Sequence, residues 1–581
     1  MAQTTPEADW VSRIADDVIA EGERRAPGKA VICASGLSPS GPIHLGNLRE
    51  VMVPHLVADE IKRRGAPCEH IISWDDYDRF RKVPAGVEGV DASWEEHIGK
   101  PLTSVPAPRG SAYGSWAEHF KAAMTASLAE LGVEYRGISQ TAKYTSGAYR
   151  EQILFAMRER ERVNAVLDRY RTLDKAAAGG KQQKKKQQGE PDAAEVEAAE
   201  GSGAAAEDDG SGAGGGAYYP YKPYCTVCGR DVTTVTAYDD ATTELTYTCA
   251  CGHGETVLLR EFDHGKLVWK VDWPMRWAYE GVVFEPSGVD HQSPGSSFVV
   301  GGQLVKEIFG AEQPIGPMYA FVGISGMAKM SSSKGGVPTP ADALQIMEAP
   351  LLRWLYARRR PNQSFKVAFD QEIQRMYDEW DALERKLASG EAQPADIAAH
   401  LRASSTAALP LPATARPLPY RTLASVADIT AGNDEQTLRI LSELDPERPV
   451  LALDEVRPRL DRAQCWIATQ VPAEQRTRVR DEPDTALLES LDDERRASLR
   501  LLLDGLADHW SLDGLTQLVY GVPKVQAGVA PDAKPTPELK VAQRAFFALL
   551  YRLLVGSETG PRLPTLLLAV GTDRVRKLLG A

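Results

Sequence analysis

The sequence predicts an α/β protein in which helices wrap a parallel sheet, a small cysteine-bearing module interrupts it, and an all-α helical bundle follows. Residues 30–74 alternate strand, helix and strand, the order that parallel sheets require. Four of the seven cysteines fall between Cys225 and Cys251. From about Asp428 to Ala581, leucines recur at helical spacing between glycine- and proline-rich turns. A chain of 581 residues is too long for one core, so several domains are expected.

The first elements follow from apolar spacing. Trp10, Ile14 and Val18 share one helical face, which predicts an opening amphipathic helix. The apolar run 30–33 predicts a buried strand, and His70–Trp74 predicts the next one. Because ligands of such sheets bind beyond the C-terminal ends of the strands, the residues after these strands are the first candidates for a site.

A phosphate site is predicted where PSGPIHLGN, Pro39–Asn47, joins the first strand to a helix. His44 and Asn47 lie one turn apart at the predicted helix start, where free backbone N–H groups and the helix dipole favour phosphate. Gly46 lacks a side chain that would block a nucleotide. Taken alone, the segment also fits a capped helix with a chance histidine.

A second phosphate-binding loop is predicted at KMSSSKG, 329–335. It follows a strand predicted at Met318–Ile324 and precedes a helix with Thr339 as N-cap and Pro340 as first residue. Lys329 and Lys334 flank three hydroxyls, a composition that suits a developing polyphosphate charge. A lone loop of this kind is usually a solvated turn, but the two segments together could hold one triphosphate from two sides.

Three aspartates directly follow the second strand: Asp75, Asp76 and Asp78. They are therefore expected at the same C-terminal end of the sheet as His44. If the chain stays extended, Asp76 and Asp78 share a face and Asp75 lies on the other. A turn straight after the strand would break that alternation. The sequence therefore predicts the group as a cation site and leaves its members open.

A composition change precedes the cysteines. Residues 175–216 are rich in Ala, Gly, Lys, Gln and Glu and predict a disordered surface insertion. The pairs Cys225-x-x-Cys228 and Cys249-x-Cys251 then predict a tetrahedral structural zinc site, in which His253 could replace Cys251. A catalytic zinc is disfavoured because no ligand position is left open.

The net charge of −13 argues against indiscriminate nucleic-acid binding. A local basic cluster could still contact RNA, or could be an ordinary solvated helix end; it consists of Arg353, Arg358, Arg359, Arg360 and Lys366. No apolar run approaches a membrane span, and the N-terminus lacks the pattern of a secretion signal. A cytoplasmic location and a reducing compartment are expected.

In their order and separation, the two loops resemble the ATP-binding motifs of class I aminoacyl-tRNA synthetases, and their surroundings resemble the class I lysyl-tRNA synthetases. The resembling stretches are ASGLSPSGPIHLGNLRE (34–50), SWDDYDRFRKVP (73–84), LVWKVDWPMRW (267–277), DHQSPGSS (290–297), KMSSSKG and GPRLPTLLLAVG (560–571). The second histidine that is common in the first motif of this class is Asn47 here, and its amide can still donate.

The resemblance implies a Rossmann-like doubly wound catalytic domain and a domain order. The predicted parts are 1–172, first half of the catalytic domain; 173–217, disordered insertion; 218–261, zinc-ribbon-like module; 262–340, second half of the catalytic domain; 341–427, helical connecting module; and 428–581, helical anticodon-binding domain.

The resemblance also implies an activity: ATP-dependent activation of L-lysine to lysyl-adenylate with Mg²⁺, followed by transfer to tRNA(Lys). The residues it implies for ATP are Ser40, His44, Gly46, Asn47, Lys329, Met330, Ser331, Ser332 and Lys334, with His44, Lys329 and Lys334 catalytic. Those for lysine are Gly36, Ser38, Trp269, His291 and Tyr319, beside the three aspartates. The alternatives are a glutamyl or arginyl enzyme of the same class and a non-catalytic tRNA-binding paralogue.

Overall fold

The computed structural model describes residues 9–171, 217–325, 337–530 and 533–580. The chain divides into two compact units. The first comprises Met1–Ala343, Ala349–Ala368 and Lys386–Leu411, and the second comprises Leu344–Glu348, Phe369–Arg385 and Pro412–Ala581.

Two predictions fall outside the described residues. One is the second phosphate loop, with Lys329, Met330, Ser331, Ser332 and Lys334, and the other is the low-complexity insertion up to residue 216.

The strands all belong to the first unit. They are β1 (Val31–Leu37), β2 (Cys68–Trp74), β3 (Arg136–Ser139), β4 (Tyr221–Pro223), β5 (Thr233–Tyr238), β6 (Glu244–Cys249), β7 (Gly254–Leu258), β8 (Gly265–Leu267), β9 (Val282–Phe284), β10 (Ser287–Gly288), β11 (Met318–Tyr319), β12 (Val322–Ser325) and β13 (Phe365–Ala368). The main sheet has the order β3-β2-β1-β9 with every pair parallel.

The helices of the first unit alternate with these strands. They are α1 (Trp10–Arg25), α2 (Leu45–Arg63), α3 (Trp116–Glu130), Gln140–Thr145, Arg150–Arg158, residues 160–171, Trp269–Glu280, Ser297–Glu307, Ala349–Ala357 and Pro394–Ser404, with short 3-10 turns at Ala92–His97, Leu102–Ser104 and Val289–His291. We call Trp269–Glu280 the tryptophan helix. Pro340–Ile346 and Glu372–Ser389 contribute residues to both units.

Helices cover both faces of the main sheet because successive side chains of β1 point in opposite directions. Ile32 and Ala34 pack into an apolar cluster with Trp273 of the tryptophan helix. On the other face, the Ser35 hydroxyl donates to the Glu50 carbonyl of α2 at 3.1 Å. This doubly wound arrangement confirms the predicted fold class.

The single strand predicted at Met318–Ile324 is wrong. The structure forms two short strands there: β11 pairs with β10, and β12 pairs with β13. Between them, the Ala320 carbonyl accepts from Arg49 at 2.8 Å, and the Ala320 N–H donates to Pro361 at 2.8 Å. Since both backbone groups are used outside a ladder, one continuous strand cannot form.

The cysteine module is a small antiparallel sheet of β5, β6 and β7 in that order. The antiparallel pair of β4 and β8 flanks it in the chain. Cys225 and Cys228 follow β4, Cys249 ends β6, and Cys251 lies in the turn before β7. An inserted module that carries the four cysteines is thus part of the fold, as the sequence predicts.

The described part of the second unit is helical, as the predicted C-terminal bundle requires. Its helices are Tyr420–Thr430, Asp434–Glu443, Arg459–Gln470, Thr485–Glu489, Asp493–Gly505, Leu512–Gln526, Pro537–Val555, Leu563–Val570 and Thr572–Leu578, with 3-10 turns at Leu453–Glu455 and Ala473–Gln475. Arg459 is buried among them and pairs with Glu348 at 2.8 Å and Asp381 at 2.7 Å. In the described residues, no helix has the length and apolar character needed to cross a membrane.

Arg353, one of the five cations that could contact RNA or form a solvated helix end, is not on the surface. Arg353 is fully buried, and its guanidinium donates to the carbonyls of Leu131 and Arg402 and to His55. The sequence showed an arginine near a helix end, but the apolar face of Ala349–Ala357 carries Arg353 inward.

Candidate active site

A cavity of about 1100 Å³ opens beyond the C-terminal ends of β1 and β2. Its lining includes Gly36 and Ser38 from the end of β1, Asp75 from the end of β2, and His44 and Asn47 from the start of α2. The place agrees with the rule that open parallel sheets bind ligands beyond their carboxyl ends.

His44 caps α2, as the sequence predicts. Its Nδ1 accepts from the Gly46 N–H at 3.1 Å, so the proton of the neutral ring lies on Nε2. Burial lowers the pKa of His44 and favours that neutral form. A Cβ at Gly46 would stand 2.9 Å from the His44 ring, which is why glycine is needed there. Ser40 also lines the cavity, whereas Gly46 is not in the lining.

Residues on both sides of the second loop bond to α2. The Pro338 carbonyl accepts from the Leu45 N–H at 2.9 Å, and Arg49 donates to Ala320. Thr339 and Asp342 cap the helix that begins at Pro340, as expected: the Thr339 N–H donates to the Asp342 carboxylate at 2.8 Å. The described flanks of the second loop therefore lie beside the helix that begins at His44.

Asp75 and Asp78 both line the cavity because the chain turns after β2: the Asp78 N–H donates to the Asp75 carbonyl at 3.3 Å. Of the two arrangements that the sequence left open, the structure has the turn, so Asp76 and Asp78 do not share a face. Arg276 donates to Asp75 at 2.6 Å, and Lys266 forms an ion pair with Asp78. We call Asp75 and Asp78 the compensated pair.

The pKa values of the compensated pair reflect burial and these cations. Burial raises the pKa of Asp75 to about 6, although Arg276 acts in the opposite direction. Burial alone would also raise the pKa of Asp78, but Lys266 and Arg276 outweigh it, so that pKa lies below its ordinary value.

Asp76 is buried and is not part of the cavity lining. Its carboxylate pairs with Lys121 at 3.0 Å and accepts from Ser139 at 2.7 Å and from the Thr141 N–H at 2.8 Å. These contacts tie the end of β2 to α3 and to the end of β3. Asp76 therefore lies behind the cavity, held by Lys121, Ser139 and Thr141.

Two carboxylates that the sequence did not single out, Glu50 and Glu285, also line the cavity; we call them the acidic pair. Glu285 accepts from the indole N–H groups of Trp273 at 3.1 Å and Trp277 at 2.5 Å. The Gly36 N–H donates to Glu50. Within the part of the chain that the structure describes, no lysine or arginine forms an ion pair with either carboxylate.

The acidic pair holds protons more tightly than ordinary carboxylates. Burial raises the pKa of Glu285 to about 7 and that of Glu50 well above its usual range. The charges of Glu285, Asp75 and Asp290 raise the pKa of Glu50 further. The charge of Arg276 acts in the opposite direction on Glu285, but burial outweighs it.

Aromatic side chains line the cavity beside the acidic pair. Trp269 stacks on Trp273 with ring centroids 5.2 Å apart, and the His291 ring meets the edge of Trp273 at 5.8 Å. Trp269 and His291 line the cavity, and so does Trp273, which belongs to the apolar core as well. Tyr319 is not in the lining, but burial and the nearby charges of Glu50, Asp290 and Glu285 raise its pKa well above the ordinary value.

Glu285 could have been identified from the sequence by its position directly after a strand, the same signal that identified the aspartates. Glu285 directly follows β9, as Asp75 follows β2. Glu50 has only a helical signal: it lies on α2, one turn after Asn47. Which charged groups surround it is decided by the fold, and no local pattern reveals them.

The four cysteines converge as a possible metal centre. Their sulfur atoms all lie within 4.8 Å of one another, with Cys225 to Cys251 at 3.8 Å and Cys228 to Cys249 at 3.6 Å. His253 is next to Thr226 and Glu255 instead, each at 3.4 Å from its Nε2. A backbone hydrogen bond from His253 lowers the pKa of the Cys251 thiol to about 7.

Comparison with known proteins gives consistent matches. A family model described as "tRNA synthetases class I (K)" matches residues 8–407. The chain is 74% identical to a lysine–tRNA ligase of Streptomyces coelicolor, covering 100% of this chain and 99% of that one. It is 30% identical to lysine–tRNA ligases of Treponema pallidum, with 98% of each chain covered, and of Pyrococcus horikoshii, with 98% and 99% covered.

Proposed function

The chain belongs to the class I tRNA synthetases of the K family, and we propose that it is an ATP-dependent lysine–tRNA ligase. It activates L-lysine as lysyl-adenylate and transfers the lysyl group to tRNA(Lys). The acidic pair carries the proposal: two carboxylates that form no ion pair with the described lysines and arginines line an aromatic cavity, beside a helix start suited to phosphate. Glutamate would be repelled there, which disfavours the glutamyl alternative.

The acidic pair receives the lysine ammonium. An ammonium that leaves water needs an opposite charge, because an unpaired buried charge is too costly to bind. Glu50 and Glu285 supply that charge, and entry of the ammonium drives off any proton they hold. Trp269 and Trp273 cover the aliphatic stem and offer their ring faces to the cation. Gly36, Ser38, His291 and Tyr319 complete the lysine site.

The first step is an in-line displacement at phosphorus. A carboxylate oxygen of lysine attacks the α-phosphorus of ATP, the bond to the bridging oxygen breaks, and pyrophosphate leaves with its electron pair. His44 donates its Nε2–H to a phosphate oxygen, while Ser40 and Asn47 hold the nucleotide. Lys329 and Lys334 stabilise the departing pyrophosphate, assisted by Met330, Ser331 and Ser332. Mg²⁺ bound with ATP would neutralise part of the phosphate charge.

The second step is acyl transfer. A ribose hydroxyl of the terminal adenosine of the tRNA attacks the lysyl carbonyl, its proton is lost, and AMP leaves. No covalent bond to the protein forms in either step, so catalysis consists of orientation and charge stabilisation.

Cys225, Cys228, Cys249 and Cys251 hold a structural zinc ion. A tetrahedral site with Zn–S bonds of about 2.3 Å would separate its sulfurs by roughly 3.8 Å, close to the distances from Cys225 to Cys251 and from Cys228 to Cys249. We expect about one zinc per chain by metal analysis. The variant Cys225→Ser/Cys228→Ser should lose it, with a lower melting temperature, while Cys465→Ser should keep it. Full zinc content in the double variant would contradict the assignment.

Aminoacylation of total tRNA with each amino acid in turn tests the function. We expect charging with lysine and background levels with glutamate and arginine. Efficient charging with arginine would mean that the acidic pair receives a guanidinium, and no charging with any amino acid would favour a non-catalytic paralogue.

A further inference from the structure

Two exposed cations at the cavity have no assigned part in the proposed reaction. Arg81 and Lys82 line the cavity and are solvent-exposed. Among the described residues, neither forms an ion pair, whereas Arg79, which also lines the cavity, contacts Asp231 at 3.6 Å. The charge of Arg81 contributes to the low pKa of Asp78 without a direct contact.

The backbone before these cations is held firmly. Phe80 exchanges backbone hydrogen bonds with the segment at residues 99–100: its N–H donates to the Lys100 carbonyl and its carbonyl accepts from the Gly99 N–H, both at 2.8 Å. The Phe80 side chain is fully buried and meets the Trp116 ring edge-on at 4.9 Å. The Trp116 indole N–H donates to the Ser40 carbonyl at 3.0 Å. The anchor of this segment is thus bonded to the loop that leads to His44.

The backbone after the cations meets the same loop. A Cβ at Gly41 would stand 3.4 Å from Pro84, so Pro84 packs against Gly41. Arg81 and Lys82 therefore lie between Phe80, which is linked to the Ser40 carbonyl through Trp116, and Pro84, which packs against Gly41. Their backbone is positioned and their side chains are free to reach a ligand, the arrangement expected of cations that bind phosphate.

We propose that Arg81 and Lys82 form a phosphate-binding pair at the rim of the cavity, for the triphosphate of ATP or for the phosphates at the 3′ end of the tRNA. The inference rests on the proposed function, because both ligands are its substrates. Arginine can grip a phosphate with two parallel N–H groups, and lysine adds a point charge beside it. Carboxylates repel phosphate groups. Arg81 and Lys82 therefore supply the positive charge that the acidic pair cannot offer to a phosphate.

The test is the double variant Arg81→Gln/Lys82→Gln. The matched control, Arg13→Gln/Lys29→Gln, removes the same charges from exposed positions outside the cavity lining. Both variants should keep the melting temperature of the parent protein, because all four side chains are exposed. The charge-conserving variant Arg81→Lys/Lys82→Arg should retain most of the phosphate affinity.

Two measurements separate the sources of phosphate. If the pair binds ATP, the KM for ATP rises about 10- to 100-fold, as for lost hydrogen bonds to a charged group, while tRNA affinity is unchanged. If it binds the tRNA, the dissociation constant for tRNA rises about tenfold, and the slope of log affinity against log salt becomes shallower by about 1 to 2. In that case, the double variant and the control should bind tRNA shortened at its 3′ end with the same affinity.

The proposal is overturned if the double variant matches the control in both measurements, or if tRNA binding weakens equally on shortened tRNA. Charging of tRNA with lysine by the unaltered protein is measured in the same experiment. Its absence would refute the proposed function, whereas normal charging with no effect of the double variant would refute only the phosphate pair.

Discussion

Asp75 and Asp78 line the same cavity as Glu50 and Glu285, but the two pairs differ in their partners. The compensated pair meets Arg276 and Lys266. The acidic pair meets only N–H groups of indole rings and backbone among the described residues. The difference teaches that the number of carboxylates does not define a cation site. A carboxylate that is already paired with a protein cation contributes little binding free energy to a substrate ammonium.

The largest expected effect comes from removing a cation that neutralises the compensated pair. Arg276→Gln removes the guanidinium that Asp75 and Asp272 share. Loss of one partner of a buried ion pair should lower the free energy of unfolding by about 3–5 kcal/mol, visible as a lower melting temperature. The exposed Arg24, paired with Glu21, supplies the control, and Arg24→Gln should cost at most about 1 kcal/mol. Equal melting temperatures for the two variants would contradict the comparison.

Removing a charge of the acidic pair should impair lysine binding. Glu50→Gln keeps the shape of the side chain, so we expect normal folding. The KM for lysine should rise about 100-fold, the scale of a lost charge-assisted hydrogen bond, while the KM for ATP stays within about twofold. Steady-state aminoacylation measures both constants. An unchanged lysine KM would exclude Glu50 from the ammonium site.

The pH dependence of lysine binding sharpens the comparison further. The pKa of Glu285 is about 7 in the cavity without substrate. Only the ionised carboxylate attracts an ammonium, so the lysine KM should rise by about fivefold as the pH falls from 7 to 6. Above that pKa the KM should level off. The same titration on Glu285→Gln should be flatter, and an identical slope would assign the dependence to another group.

The smallest effect on lysine binding is expected at Asp76. Asp76→Asn loses the ion pair to Lys121 but keeps a side chain that can accept hydrogen bonds. Stability should fall by about 1–3 kcal/mol while the lysine KM changes less than about twofold. A lysine KM that rises as strongly as in Glu50→Gln would mean that Asp76 reaches the substrate.

Local patterns predicted much of the fold and part of the site. The helix start at His44, the strands around it and the convergence of the cysteines depend on neighbours in sequence, so their residue types are sufficient evidence. The break between β11 and β12 was not predictable in this way. It depends on Arg49 and Pro361, whose contacts with Ala320 require the folded chain.

The sequence by itself determined the fold class, the helix start that favours phosphate, the cysteine cluster and the presence of acidic residues at a strand end. Only the tertiary structure decided which acids are free for a substrate. Arg276 and Lys266 are distant from Asp75 and Asp78 in sequence, and Glu50 is distant from Glu285. The physical reason is that the charge a site offers depends on the balance of all groups brought within a few ångströms, and folding sets that balance.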